Sequence, residues 1–371
     1  MRRPVPEGGR LVVKVGSSSL MTGEGGLDES SIERVAEQVA GSWKAGYPTV
    51  LVSSGAVAAG LSALGLSARP SDVPGLQVAA AVGQSRLMHR YAEAFSTRGL
   101  VAGQILLTRD VLAHREQYLH ARQALDRMLS EGIVPVVNEN DTVVIDELRL
   151  GDNDRLAAIV SHLVGASLLV ILTDTEGLFA SDPRRGESEF LAAVDHADEK
   201  LDRLEGGGPL GSGGVASKVA AARIAAFSRI PTVVASSGSS ILEVVAGAAI
   251  GTWVEPRSTM LPARKLWIAF CQPSRGSVAV DEGAAHALLN GGRSLLPVGV
   301  VGVNGGFEVG DTVDVMGDGG RLLARGLVRM SVGELTERRG RRGGAEAIHR
   351  DDLVVLELNP VGRSGPDAAQ S

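Results

Sequence analysis

Two textures of apolar residues alternate along the first two thirds of the chain. Short runs that are apolar at nearly every position predict strands buried on both faces: Leu11 to Val15, Thr49 to Val52, Val101 to Leu107, Ile133 to Val137, Leu168 to Leu172 and Thr232 to Val234. Between them, apolar residues recur every three or four positions and predict helices over Ile32 to Trp43, Leu76 to Phe95, Arg115 to Leu129, Leu156 to Val164 and Val219 to Phe227. A small-residue helix starts at Val57 and runs to Leu64. This alternation predicts an α/β fold, a three-layer sandwich whose mostly parallel central sheet is covered by helices on each side.

The texture changes near Ser258. Pro256, Pro262 and Pro273 flank a strand-like run, Lys265 to Phe270. Short strands with Gly/Asp turns follow: Ser277 to Val280, Val298 to Val303, Thr312 to Val315, Leu322 to Leu327 and Leu353 to Leu358. They predict a small mainly-β second domain. The expected division is a flexible N-terminus over 1–10, a first domain over 11–260, a linker over 261–275, a second domain over 276–356 and a disordered Gly/Ser/Pro/Ala-rich tail over 357–371.

Charge narrows the function classes. The 371 residues carry 37 basic and 43 acidic side chains, a net charge of −6. That balance gives no support for general nucleic-acid binding or for an anionic membrane surface. The basic run Arg338 to Arg342 lies among acidic residues and reads as a solvated loop. The only cysteine is Cys271, which excludes an intrachain disulfide and a cysteine-built metal site and fits a reducing cytoplasm. The segment from Leu156 to Leu172 is broken by Ser161, His162, Gly165 and Ser167 and reads as helix, turn and strand rather than a membrane span. Arg2 and Arg3 have no apolar core behind them, so no signal peptide is expected at this N-terminus.

The chemistry gathers where predicted strands stop and helices start. Asn138-Glu139-Asn140-Asp141 and then Gly151-Asp152-Asn153-Asp154 place two knots of carboxylates and amides at such junctions. With no His or Cys they do not suit zinc, but they suit an ammonium group, a lysine, or Mg²⁺ carried in on phosphates. Turn and cap roles for Asn138, Asp141 and Asp152 remain the structural alternative. Lys14 interrupts an apolar strand just before Gly16 and needs a counter-charge or an anion, unless it snorkels from an edge. The glycine-rich stretch Gly206 to Gly214 leads to Lys218 at a helix start. Free N–H groups and the helix dipole favour phosphate there, although a flexible linker would have a similar composition. It is not the P-loop of Walker-type NTPases, because Val219 rather than Ser or Thr follows the lysine. Ser53-Ser54-Gly55-Ala56 offers exposed amides to a phosphate or carboxylate. Two lysines, anion-type loops and an acidic, amide-rich pocket together describe phosphoryl transfer to an acceptor that needs little deprotonation. A carboxylate, already ionised at pH 7, is such an acceptor.

These stretches resemble the amino acid kinase family over about Leu11 to Thr259, in order and without a large gap. The resemblance is carried by Val12 to Gly16, Val52 to Gly60, Ala79 to Ser85, Val136 to Asp141, Gly151 to Asp154, Leu172 to Asp174 with Gly177-Leu178, and Gly211 to Lys218. The run from Asn138 to Asp154 matches the members that act on glutamate. Gly276 to about Leu356 resembles a PUA domain, notably at Ser294 to Gly299 and Gly310-Asp311. The resemblance implies ATP-dependent phosphorylation of the γ-carboxylate of L-glutamate, the first step towards proline, with Mg²⁺ accompanying ATP. Lys14 and Lys218 would hold the transferring phosphoryl group, and Asp154 would orient them with help from Asp152. Ser54, Asp141 and Asn153, with Asn138 behind them, would hold glutamate. Thr173, Asp174, Ser212, Gly213, Gly214, Val215, Ala216, Ser217 and Lys218 would contact ATP, as would Lys14. By the same analogy, proline would inhibit by feedback, the chain would form a dimer or tetramer, and a glutamyl phosphate reductase would collect the product. Ser53, where Thr is more usual, and Val215-Ala216 in the glycine loop are small departures. Two alternatives stay open: another amino acid kinase acting on acetylglutamate or aspartate, and an RNA-binding or amino-acid-sensing protein built on the PUA domain.

Overall fold

In the computed structural model of the chain, residues 2–22, 26–143, 153–183, 186–205 and 214–356 are described. The chain divides into two units, Met1–Met260 and Leu261–Ser371. In order, the first contains β1 (Leu11–Val15), α1 (Glu29–Lys44), β2 (Thr49–Ser53), α2 (Ala56–Ala63), α3 (Val73–Ser96), β3 (Val101–Leu107), α4 (Arg109–Ala113), α5 (Arg115–Ser130) and β4 (Ile133–Glu139). It continues through α6 (Asn153–Val164), β5 (Leu168–Thr173), β6 (Ala193–Asp195), α7 (Glu199–Glu205), α8 (Gly214–Phe227), β7 (Thr232–Ser236), α9 (Ile241–Val245) and β8 (Thr252–Glu255).

The eight strands form one sheet in the order β3-β4-β2-β1-β5-β7-β8-β6, parallel except where β8 runs antiparallel to β7. Central strands are buried at every position because both sheet faces are covered. Alternation sends Leu11, Val13 and Val15 of β1 into one core with Ile32, Val35 and Val39 of α1, Leu87 and Tyr91 of α3 and Ile241 of α9. Val12 and Lys14 therefore face the opposite side, where α6 lies against β1 and packs on α5 and α8. Each Val or Leu so buried contributes about 1.5–3 kcal/mol of transfer free energy. Start signals agree with the pattern: Asp28 and Asp72 cap α1 and α3 by accepting from Ser30 N and Gly75 N. The helices α2 and α3 touch at glycines, since a Cβ on Gly83 would lie 1.8 Å from Ala56 O.

Several elements differ from the sequence pattern. β4 continues two residues beyond the apolar run, through Asn138 and Glu139, both buried. Residues 2–10, expected to be flexible, include a buried Val5 whose N–H is donated to Val245 O. The short elements β6, β8, α4, α7 and α9 carry too few residues to show a period. Among the described residues, no helix is long and apolar enough to cross a membrane.

The second unit contains α10 (Ala263–Phe270), β9 (Ser274–Val280), α11 (Glu282–Gly291), β10 (Val300–Gly305), β11 (Thr312–Met316), β12 (Leu322–Val328), α12 (Val332–Arg338) and β13 (Ile348–Val355). Its five-stranded sheet has the order β10-β9-β11-β12-β13 and is antiparallel except for the β9–β11 pair. Phe307, Val313, Val315, Leu323, Leu335 and Ile348 centre its core. The run Lys265 to Phe270, expected as strand-like within a linker, is helix α10. Its buried Leu266, Ile268 and Ala269 mimic a two-residue alternation that so short a run cannot distinguish from a helical face. The helix packs on β12 and β13, with Arg264 paired to Asp352 at 2.8 Å. The last strand starts at Ile348, not Leu353, because Ile348 and the flanking Ala347 fill the core. Arg338 to Arg342 are exposed. The tail 357–371 lies outside the described residues.

Candidate active site

Parallel pairing brings the C-terminal ends of the strands to one edge of the sheet. Lys14 is in register with Val52 and Ile171, and Val52 with Val137. Lys14, Ser53-Ser54, Asn138 and Thr173-Asp174 thus meet where ligands bind in open α/β sheets. The Ser54 N–H donates to Val15 O at 3.2 Å. Gly55 then turns the chain into α2 at φ +105°, a conformation that other residues rarely adopt.

Helix α6 supplies the counter-charge. Its second residue, Asp154, is fully buried between two lysines. Lys14 Nζ lies 2.5 Å from Asp154 Oδ1, and Lys218 Nζ, arriving from the first turn and a half of α8, lies 3.3 Å from Oδ2. Ser217 Oγ donates to Oδ2 at 2.8 Å, and Lys218 Nζ also donates to Gly214 O at 2.9 Å. Burial alone would push the Asp154 carboxyl up. The charges of Lys14 and Lys218, with hydrogen bonds from Lys14 and Ser217, outweigh that and hold it below the ordinary carboxylate range. Asp154 therefore stays ionised and keeps two ammonium groups side by side that would otherwise repel. Lys14, a buried strand lysine, has found its partner across the sheet–helix boundary rather than snorkelling.

The residue before it, Asn153, builds a different neighbourhood. Asn153 Nδ2 donates to Ser54 Oγ at 2.8 Å, to Asn138 Oδ1 at 2.8 Å and to Ser53 O at 3.2 Å. Asn138 Oδ1 also accepts from Glu139 N, and Asn138 Nδ2 donates to Gln84 Oε1 on α3 at 2.7 Å. Asn138 is 2 % exposed and engaged at both ends of its amide, so it braces Asn153 rather than facing the cleft. Ser53 Oγ pairs with Tyr91 Oη at 2.9 Å beneath the strand ends.

Beside Lys218 opens a cavity of about 650 Å³. Its lining includes Thr173, Asp174, Gly214, Val215 and Lys218, as sequence suggested, and also Ser18, Phe179, Asp182, Arg203 and Leu204, which it did not. The size is that of a cofactor pocket. Thr173 Oγ1 donates to Asp174 Oδ1 at 3.1 Å. Ala216 and Ser217 continue the first turn of α8. Asp141 stands half-buried in the turn after β4. Asp152, Ser212 and Gly213 lie outside the described residues. Gln84 was visible in the Ala79 to Ser85 stretch, but a mid-helix glutamine carries no signal of its contact, and nothing local marks Arg203. Among the described residues, no three His, Cys, Asp or Glu gather as metal ligands.

Fold and site together describe a phosphotransferase built on an open α/β sheet. The chain belongs to the amino acid kinase family, whose model matches residues 9–236, and a PUA domain model matches residues 276–350. It is 43 % identical to the glutamate 5-kinase of Nocardia farcinica over 96 % of this chain and 99 % of that protein. It is 44 % identical to the glutamate 5-kinase of Geobacter sulfurreducens and 46 % identical to that of Nitrosomonas eutropha, each over 94 % of this chain and 97 % of the relative. Membership of a kinase family implies ATP as the phosphoryl donor.

Proposed function

We propose that this protein transfers the γ-phosphoryl group of ATP to the γ-carboxylate of L-glutamate, as the names of its relatives state for them. The observation that carries this reading is the pair of lysines held on the two oxygens of one buried carboxylate, with Lys218 lining a nucleotide-sized cavity and Asn153, next in the chain to that carboxylate, opening the amide cluster with Ser54 and Asn138. A carboxylate oxygen of glutamate attacks the γ-phosphorus as the bond to the β-phosphate oxygen breaks, and ADP leaves with that bond's electron pair. The acceptor has no proton to lose near pH 7, so no general base is required. Catalysis is then positioning and charge stabilisation, with Lys14 and Lys218 flanking the transferring group while Asp154 keeps them in place.

Asn153 spends its amide hydrogens on Ser54, Asn138 and Ser53, which leaves its Oδ1 to accept from the substrate ammonium. Asp141 adds a carboxylate for the same ammonium. Ser54 Oγ accepts from Asn153 and so has its own hydrogen to offer the α-carboxylate, beside the amides of the Gly55 turn. Magnesium fits this site as a nucleotide-borne ion: Asp154 is committed to the lysines, and Asp174 and Asp182 line the cavity where they would hold the ion's water shell. When bound it would shield phosphate charge.

The test incubates protein, MgATP, hydroxylamine and one amino acid at a time, and measures trapped hydroxamate. Glutamate is expected to give product where aspartate and acetylglutamate give little. Absence of glutamate hydroxamate under all conditions rejects the reading.

A further inference from the structure

Gln84 belongs to α3, remote in sequence from every strand end, yet it makes the outermost link of the amide chain. The reason is packing. Gly83 lets the backbone of α3 close on Ala56, the first residue of α2, where a Cβ would sit 1.8 Å from the carbonyl oxygen. Gly60 closes the same contact from the other helix, with a Cβ there 1.8 Å from Ala79 O. The next residue along α3 is thereby delivered to the Asn138 side chain.

An asparagine amide has two ends of similar shape and opposite hydrogen-bonding character, so its direction must be set by neighbours. The backbone N–H of Glu139, a fixed donor, takes Asn138 Oδ1 at 2.9 Å and so turns Nδ2 towards Gln84, whose Oε1 accepts from it at 2.7 Å. Asn138 Oδ1 must then face Asn153, where it selects the Nδ2 end in turn at 2.8 Å. With Nδ2 turned inward, Asn153 presents oxygen to the cleft. We propose that Gln84 is a positioning residue for amino-acid binding. Its carbonyl closes the Gln84–Asn138–Asn153–Ser54 relay and holds it in the direction that the Glu139 N–H and the Ser53 carbonyl impose, so that an acceptor, not a donor, meets the substrate ammonium. The inference rests on the reading of this pocket as the glutamate site, and it assigns α3 a part in substrate recognition.

The test compares Gln84→Leu, which removes the acceptor, with Gln84→Glu, which keeps an acceptor at the same reach while losing the donor and gaining a negative charge two links away from the substrate. KM for glutamate, KM for ATP, kcat and melting temperature are measured for each. Gln84→Leu is expected to raise the glutamate KM about tenfold, the usual size for one lost hydrogen bond within a polar network. The ATP KM should stay unchanged and kcat should fall no more than about threefold. Gln84→Glu should restore the glutamate KM to within about threefold of the parent, a rescue that a merely structural glutamine would not produce. If Gln84→Leu melts early, Gln84→Asn replaces it, since an amide one methylene short cannot reach Asn138. A parent that makes no glutamate hydroxamate overturns the function and this inference together. An active parent with an unchanged glutamate KM in the Leu and Asn variants, or a Glu variant as impaired as they are, overturns the inference alone.

Discussion

Asn153 and Asp154 are neighbours in the chain, open the same helix, and serve surroundings of opposite kind. Asp154 faces two ammonium groups within 3.3 Å and is completely buried. Asn153 faces a hydroxyl, a carbonyl and an amide, and no described hydrogen bond of its side chain involves a charge. Adjacent helix residues project about 100° apart, so one helix start can divide a cleft into a half that manages charge and a half that reads hydrogen-bond direction. The division matches the two demands of the reaction. Charge redistributes at the phosphoryl group during transfer, while the amino-acid end is bound alike before and after. Damage to the first half is therefore expected in turnover, and damage to the second in glutamate affinity.

The largest effect is expected from Asp154→Asn. It leaves two lysines adjacent with no anion between them, and breaking a buried pair by removing one partner costs about 3–5 kcal/mol. A lower melting temperature should accompany a loss of turnover of about a thousandfold, in line with the upper range for a lost electrostatic contact in a transition state. A variant that kept its turnover and lost only glutamate affinity would erase the distinction between the halves. Next is Lys218→Ala, which removes one charge beside the phosphates. Turnover should drop by about 10²–10³-fold, while the glutamate KM changes by a few-fold at most, read from initial rates at saturating ATP.

The two halves were unequally legible before the structure. Lys14 stood out because a lysine inside an apolar strand has to be explained, and Lys218 because a glycine-rich stretch preceded it. The strands ending at Ser53 and Thr173 were plain from buried runs, and the parallel sheet followed from their alternation with helices. The amide half depends on contacts 54 and 99 residues apart in sequence, such as Gln84 to Asn138 and Ser54 to Asn153. No local pattern encodes them: the first depends on the α2–α3 approach at Gly60 and Gly83, the second on where α6 starts beside the end of β2. Helix α10 was misread for a related reason. An eight-residue segment with buried Leu266, Ile268 and Ala269 satisfies both periods, and its partner strands decide. Arg203, Phe179 and Leu204 enter the cavity from the segment after β5, where the sequence offers no period at all.

A third prediction asks whether the partners of Asp154 outweigh its burial and keep it charged down to the ordinary carboxylate range. His162 lies two turns further along α6. Burial, with the nearby Arg122 charge, pushes its imidazole down from 6.5 to about 4, and its Nδ1 lies 3.3 Å from Ser228 Oγ. Between those values the unfolded chain binds a proton that the folded chain does not, so stability falls as pH drops from above 6.5 towards 4. At about 1.4 kcal/mol per pH unit, the loss reaches about 3 kcal/mol by pH 4. Asp154 adds nothing to the decline over that window. Its carboxyl is held below the ordinary value near 3.8, so its contribution is intact above that pH and fades only in stronger acid. Melting temperature measured from pH 7 to pH 4 should therefore decline in the parent and stay flatter in His162→Gln. An equal decline in both would mean that another group, Asp154 included, titrates in this range.

The smallest effect is expected next to the largest. Asn153→Ala removes three hydrogen bonds but no charge, and it leaves the Lys14–Asp154–Lys218 cluster in place. The glutamate KM should rise about tenfold, equivalent to about 1.4 kcal/mol, with ATP KM unchanged and kcat nearly so. Asn153→Asp sharpens the test. An aspartate there still offers an oxygen to the substrate ammonium but cannot donate to Ser54 or Asn138, and it sets a second carboxylate beside Asp154. If presenting oxygen to the ammonium were the whole role of Asn153, the Asp variant would bind glutamate better than the Ala variant. The relay predicts the reverse order, because the displaced Asn138 and Ser54 and the added negative charge both act against a dicarboxylate substrate. The order of the two glutamate KM values decides whether this half of the cleft works as a connected chain or as a single contact.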